Sequence, residues 1–400
     1  MPPFFFIATI QHAQRKKCFA FLMFASPSLL VLKYSLALGK RKTYNACDVI
    51  TITETLMNFV FSLWLILIAG MINGSFALPT KYTRHWNFEN IWLQYAIWAF
   101  ILLPWIAAFF LAPQIFKIYE ATPLSTLLIM MAGGFLFGVG QVGFAFAINM
   151  IGIGLAFVIC LGLGTGLGFL LPLVIQHPQE IRTPFGLLTI FGTTLAILGL
   201  IVSTYAGQLR DKKHKQSDNY KASHIKRFYL LGVLLAVVAG LFSAGQNFAF
   251  SLTANMQAIA LGMGASYLGA ATIMWPGFLV FTFIPYALYM LSLHRKNNSF
   301  ELYHQAGIKN YYLYAFIMGL FWYGSLIFYS KASQLIGRVG PVVGWPLFMV
   351  LIILASNFWG WRHREWAHCG KKAKYAIWTG LVLLILSVLV LGYSSSLQSG

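Results

Sequence analysis

Ten runs of roughly twenty apolar residues lie between Met57 and Gly392, and no other feature constrains the fold of this chain as much. The hydrocarbon core of a bilayer is about 30 Å thick, so a helix needs about 20 residues to cross it. The runs cover 57–78, 91–111, 124–148, 151–175, 185–205, 228–252, 267–291, 311–330, 339–358 and 375–392. In lipid every backbone N–H and C=O needs a partner within the protein, and a helix supplies it. With 59% hydrophobic and 9% charged residues over 400 positions, a soluble domain would lack the interior to hide such a surface. The expected fold class is an all-α polytopic membrane protein with ten transmembrane helices.

A formal net charge of +19 invites nucleic acid as a partner, but the placement of the charge argues against it. Seventeen Lys and Arg fall in the odd-numbered loops between the runs and four in the even-numbered ones. Positive loops stay cytoplasmic, so both ends of the ten-helix core are expected on the outer side of a bacterial inner membrane. Contact with anionic lipid headgroups is a secondary role for the same residues. Residues 1–56 break the pattern, because Arg15, Lys16, Lys17, Lys33, Lys40, Arg41 and Lys42 would lie outside. Either translation begins at Met57 or the segment is an extra helix or anchor. It carries no functional expectation.

The chain also repeats itself. Gly134 and Gly152 are matched by Gly319 and Gly337, Ala147 by Ala332, and Ile151 by Ile336, all at an offset of 185. The organisation that follows is a first five-helix repeat over 57–206, a basic cytoplasmic linker over 207–227, a second repeat over 228–394 and a tail over 395–400. Five spans per half force the second copy into the membrane upside down, the build of a secondary transporter with its solute held near the midplane. The first spans of the halves are also alike, with Gly70 to Ala77 resembling Gly240 to Ala249. The fourth spans carry the better clue. One holds Gly162, Gly164, Gly166, Gly168 and Pro172, the other Gly337, Gly340, Pro341, Gly344 and Pro346. A proline inside a helix frees the carbonyl four residues earlier, here those of Gly168 and Val342. Interrupted spans at matching positions point to a binding site, although tight helix packing uses the same residues.

Polar side chains within the runs are Asn73, Gln141, Thr165, Ser243, Gln246, Asn247, Tyr323 and Ser325, with Trp275, Trp322 and Trp345 beside them. Amides and hydroxyls donate and accept without net charge, which suits a neutral polar solute, and an indole face suits a sugar ring. The expected binding set is Asn73, Gln141, Thr165, Gln246, Asn247, Trp322, Tyr323 and Trp345. The competing use of each is to staple two helices or fill volume. All acidic residues and all histidines fall outside the runs or at their edges. Proton coupling therefore needs an edge carboxylate such as Glu120, or is absent. The same pattern argues against an enzyme and provides no catalytic, cofactor or metal set. Cys18, Cys47, Cys160 and Cys369 lack metal-ligand spacing and read as small packing residues. Gly138, Gly140 and Gly143 spell a dinucleotide fingerprint, but inside an apolar helix it has no such meaning.

Taken together, Tyr205-Ala-Gly-Gln-Leu-Arg210, Gly240-Leu-Phe-Ser-Ala-Gly245 and Leu320-Phe-Trp-Tyr323, with a weaker match from Gly360 to Trp366, carry a resemblance. From about Met57 to Gly392 the chain resembles the L-rhamnose–proton symporter family of the drug/metabolite transporter superfamily. The resemblance implies two inverted five-helix halves, a cavity lined by spans one, three, four, six, eight and nine, and transport of a rhamnose-like sugar coupled to protons. The chain departs from that family early in span nine, where Gly340-Pro-Val-Val-Gly-Trp345-Pro-Leu stands in place of expected polar or ionisable groups. Implied partners are a small-molecule solute, protons or another coupling ion, membrane lipids and a second copy in a homodimer, with no nucleic acid. An exporter of amino acids, metabolites or drugs from the same superfamily has the same build. A membrane-embedded enzyme or a scaffold fits less well.

Overall fold

The computed structural model describes residues 46–215 and 229–397, apart from 152, 306, 365, 367 and 368. The chain divides between Phe61 and Ser62 into two units, and the helices below belong, from Ser62 onward, to the larger. Ten helices are long and apolar enough to cross a membrane. They are α1 (Ala46–Ser75), α2 (Phe88–Leu111), α3 (Leu124–Ile151), α4 (Ile153–Gln176) and α5 (Pro184–Lys215). The second set is α6 (Tyr229–Leu252), α7 (Tyr267–Asn297), α8 (Lys309–Ile336), α9 (Gly340–Arg362) and α10 (Lys371–Ser396). No strand occurs among the described residues. The helices outrun the apolar runs at several ends, as where α7 continues to Asn297 and α8 to Ile336. Helical hydrogen bonding continues past the apolar stretch into polar sequence that hydrophobicity does not mark.

Small residues set the helix spacing. A Cβ placed on Gly134 of α3 would lie 2.0 Å from the Phe278 carbonyl oxygen of α7, and one on Gly319 of α8 would lie 2.7 Å from Trp98 Cβ of α2. Gly240 of α6 abuts Leu163 and Cys160 of α4, and Gly70 of α1 abuts Leu351 of α9. Such close approach raises dispersion contact, the main attraction available where lipid tails are as apolar as leucine. The fingerprint-like glycines do the same work, with Gly138 against Thr282 and Pro285 and Gly140 against Phe242. Gly337 ends α8 at φ +88, a conformation that favours glycine. Its partner Gly152 lies outside the described residues.

The second helix of each half is interrupted. In α2 a π-helical segment, Ile97–Leu102, precedes Pro104, with Leu103 N–H bonded to the Trp98 carbonyl five residues back. Proline cannot donate to Phe100, and the lengthened turn absorbs the loss. The helical part of α7 stops at Thr272 and restarts at Trp275, ahead of Pro276. Tyr119, from the short helix Ile115–Ala121, plugs that break. Its hydroxyl donates to the Ile273 carbonyl at 2.9 Å and accepts from Gly277 N–H at 3.0 Å. Burial raises the Tyr119 pKa, which keeps the phenol a donor. Helices α7 and α9 are the most enclosed, while Phe110, Leu230 and Trp378 face outward with the other exposed apolar side chains.

Gly134→Ala is expected to lower the melting temperature of the detergent-purified protein, at a cost of about 1–3 kcal/mol for overpacking against backbone. Gly245→Ala, where an added Cβ meets nothing within 4 Å, is expected to leave it unchanged or slightly higher. Equal effects of the two would remove the close-packing account.

Candidate functional site

A single amide gathers four helices. Asn247 of α6 is fully buried, and its Nδ2 donates to the Gly168 carbonyl of α4 at 2.8 Å and to the Pro341 carbonyl of α9 at 3.0 Å. Its Oδ1 accepts from the Tyr329 hydroxyl of α8. The Gly168 carbonyl is the one that Pro172 leaves without a helical partner, as expected from sequence. On α9 the amide reaches Pro341 instead of Val342. Successive helical carbonyls point about 100° apart, and that of Pro341 is the one turned to α6. A carboxamide has two donor hydrogens and an acceptor, and Asn247 uses all three functions.

Trp345 closes the same junction. Its Nε1 donates to the Gly164 carbonyl at 3.0 Å, and its ring lies against Gly168, where a Cβ would fall 2.3 Å from Nε1. The glycines of α4 therefore make a groove for an indole, with Ser243 Oγ over Gly164. Behind them Trp275 stacks on Phe250 with ring centroids 5.4 Å apart and donates to Ser330 Oγ at 2.6 Å. Tyr329 stacks on Phe348 at 5.2 Å.

A second junction joins α1 to α8. Asn73 Nδ2 donates to Ser325 Oγ at 2.7 Å, and Ser325 donates in turn to the Trp322 carbonyl at 2.6 Å. Trp322 is half-buried, edge-on to Phe100 at 5.1 Å and to Tyr95 at 6.3 Å. Several of the expected residues spend no hydrogen-bonding capacity on another described residue. Thr165 Oγ1 is buried with no partner among the described residues. Gln246 is also buried, and no hydrogen bond joins its amide to another described residue. A buried polar group left unpaired costs about 1–3 kcal/mol, so such groups in a bundle interior are candidates to meet a ligand or water. Tyr323 is buried, and Gln141 on α3 is half-buried and belongs to neither junction. Tyr329 was not among the expected residues. The signal was its register, since Trp322, Ser325 and Tyr329 follow i, i+3, i+7 along one face of α8.

The loop after α4 meets the loop after α8. His177 Nε2 donates to the Arg338 carbonyl at 3.1 Å, and Arg338 pairs with Glu180 at 3.0 Å. Burial, then the Arg338 charge, holds the His177 imidazole below its usual pKa. Its Nδ1 is buried without a partner among the described residues, so protonation would leave an N–H with no acceptor. Near the end of α5, Arg210 lies 5.0 Å over the Trp366 ring, which joins two of the motifs that carried the family resemblance.

Ten helices long and apolar enough to span a bilayer, joined at junctions of amides, hydroxyls and indoles, make a multi-pass membrane protein. The chain belongs to the L-rhamnose-proton symport protein (RhaT) family, whose model matches residues 56–396. It is 29% identical over 336 residues to the L-rhamnose-proton symporter of Klebsiella pneumoniae subsp. pneumoniae, covering 82% of this chain and 95% of that protein. The corresponding symporters of Salmonella paratyphi A and Citrobacter koseri are each 28% identical, over 337 and 336 residues, with the same coverage.

Asn247→Ala is expected to destabilise the purified protein by about 1–3 kcal/mol for each carbonyl left buried and unpaired, read as a lower melting temperature. Because the folded His177 binds its proton less readily than the unfolded one, its contribution to stability is full above the usual pKa of 6.5 and is lost as pH falls below it. Melting curves between about pH 7.5 and about pH 5 should show that loss, and His177→Gln should flatten it.

Proposed function

We propose that this protein is a secondary active symporter that carries a small polar solute, a rhamnose-like sugar, together with protons across the bacterial inner membrane by alternating access. Its two five-helix halves, 57–206 and 228–394, are read as inverted copies of the drug/metabolite transporter type, with the solute held between them. The observation that carries the proposal is the pair of unspent polar groups, Thr165 and Gln246, beside the junction of the two proline-broken helices. Family membership and relatives whose names state rhamnose–proton symport support the choice of solute. In this proposal Gln246, Thr165 and Gln141 offer hydrogen bonds to sugar hydroxyls, and Trp322, with Tyr323 next to it, offers aromatic surface. Asn73, Asn247 and Trp345 already bind neighbouring helices, and their contribution to solute binding is to hold the walls. Early α9 has no ionisable side chain to offer the solute. The basic odd-numbered loops face the cytoplasm.

The test is uptake of labelled L-rhamnose by proteoliposomes under an inward proton gradient. Wild type should accumulate the sugar. Gln246→Ala and Trp322→Ala should each cut uptake about tenfold, the factor that ~1.4 kcal/mol of binding represents, with membrane insertion intact. Normal uptake by both variants would take these residues out of the site, and wild-type liposomes that move no sugar would overturn the choice of solute.

A further inference from the structure

Where α2 begins and α7 ends, a chain of buried side chains has no part in the solute site. Ser299 donates to Glu89 Oε1 at 2.6 Å, and His294 Nδ1 lies 2.8 Å from Ser299 Oγ. Tyr303 Oη lies 3.0 Å from His294 Nε2 and donates to the Asn90 carbonyl at 3.1 Å. Asn297 Nδ2 also donates to Glu89 Oε1, at 2.9 Å. Glu89, His294 and Ser299 are each at most 2% exposed. Glu120, the edge carboxylate singled out from sequence, is instead exposed.

Counting hydrogens along this chain shows room for one more. If the neutral imidazole carries its hydrogen on Nδ1, it donates to Ser299, which serves Glu89. The Tyr303 hydroxyl then faces two acceptors, His294 Nε2 and the Asn90 carbonyl, with one hydrogen for both. If the hydrogen sits on Nε2 instead, Ser299 is the hydroxyl that faces two acceptors. Either neutral tautomer leaves one contact short. An imidazolium satisfies these four contacts at once, Nδ1–H to Ser299, Ser299 to Glu89, Nε2–H to Tyr303 and Tyr303 to Asn90, with the Gln94 side chain also at the Tyr303 hydroxyl and the Glu89 backbone at the imidazole. The carboxylate of Glu89 balances the added charge one hydroxyl away.

We propose that Glu89, Ser299, His294 and Tyr303 form the binding site of the coupling proton, which resides on the His294 imidazole. This rests on the symport proposed above. The site ties the two halves of the chain together, because Glu89 and Asn90 open α2 while His294 and Ser299 close α7. Asn90 Nδ2 also donates to the Ser299 carbonyl at 2.9 Å, and Trp86 Nε1 to the Leu302 carbonyl at 3.1 Å. A proton gained or lost here therefore acts on the packing between the halves. Around the site, Lys81, Arg84 and His85 of the first loop and Arg295 and Lys296 of α7 are exposed. So are Glu301 and His304 of the turn Phe300–His304, and Lys309 and Tyr312 of α8. Tyr289 is half-buried on α7 and Tyr311 buried on α8, and phenols keep their protons at neutral pH. Glu89 and His294 are thus the enclosed pair of opposite charge type.

The test measures two quantities in one proteoliposome preparation: L-rhamnose exchange at equal pH on both sides, and proton uptake on sugar addition, read with an internal pH dye. Wild type should show both. His294→Gln should keep exchange within about twofold and lose proton uptake at least about tenfold, factors of about 0.4 and 1.4 kcal/mol. Ser299→Ala, which cuts the link to Glu89, should do the same if the glutamine variant folds poorly. A wild-type proton-to-sugar ratio in both variants overturns the proposal, and so does loss of exchange in both, which marks a structural role. Wild-type exchange without proton movement overturns the proton site and leaves the carrier standing. Should wild type exchange no sugar, the symport reading fails by itself, and Trp86 fluorescence decides the proton site, since that ring packs 5.3 Å from Tyr303. A pH-dependent change present in wild type and absent in His294→Gln supports it, and its absence from wild type overturns it.

Discussion

The bundle depends on the three hydrogen bonds of one carboxamide. Two prolines break α4 and α9 where they meet, and a broken helix in a membrane must find a new partner for each freed carbonyl. Asn247 meets that need for Gly168, reaches Pro341 on the facing helix and takes the Tyr329 hydroxyl as donor. The glycines of α4 and the indole of Trp345 complete the arrangement, each by occupying or vacating space that the other requires. Without the amide, Pro172 would leave the Gly168 carbonyl without its partner; with it the four helices share a fixed, polar junction inside an apolar bundle.

Around that junction, polar groups divide by whether their bonds are already made. Asn73, Ser325, Trp275 and Ser330 are committed to neighbouring helices, whereas Thr165 and Gln246 are not. This division matters more than burial alone. A staple and a ligand contact can be the same residue type at the same depth, and only the accounting of hydrogens separates them. Formal charge is kept to the ends, as in the Arg338–Glu180 pair and the Glu89–His294 chain at opposite loop sets.

The helices were legible in sequence because hydrophobicity fixes them directly, and the proline rule located the Gly168 carbonyl before its partner was known. Gly134 and Gly319, which share the offset of 185, both lie where helices approach closely. What sequence could not supply was pairing across the chain. Glu89 and Ser299 are 210 positions apart, and nothing local to Glu89 distinguishes it from the exposed Glu120. Nor does the residue type of Asn247 reveal that its capacity is used while that of its neighbour Gln246 is not. The break in α7 and its plug by Tyr119 were missed for the same reason, since the plug comes from a different loop.

The π-helical segment of α2 has a consequence for chain length. A turn of this kind holds one residue more than an α-turn without shifting the face presented by the helix on either side of it. Elsewhere in the bundle, losing one position would swing everything downstream by about 100° and expel the packed face. Between Ile97 and Leu102 a single-codon deletion would instead tighten the loop of backbone into an ordinary turn. Insertions and deletions among relatives should therefore collect there, at a spare residue stored within the membrane.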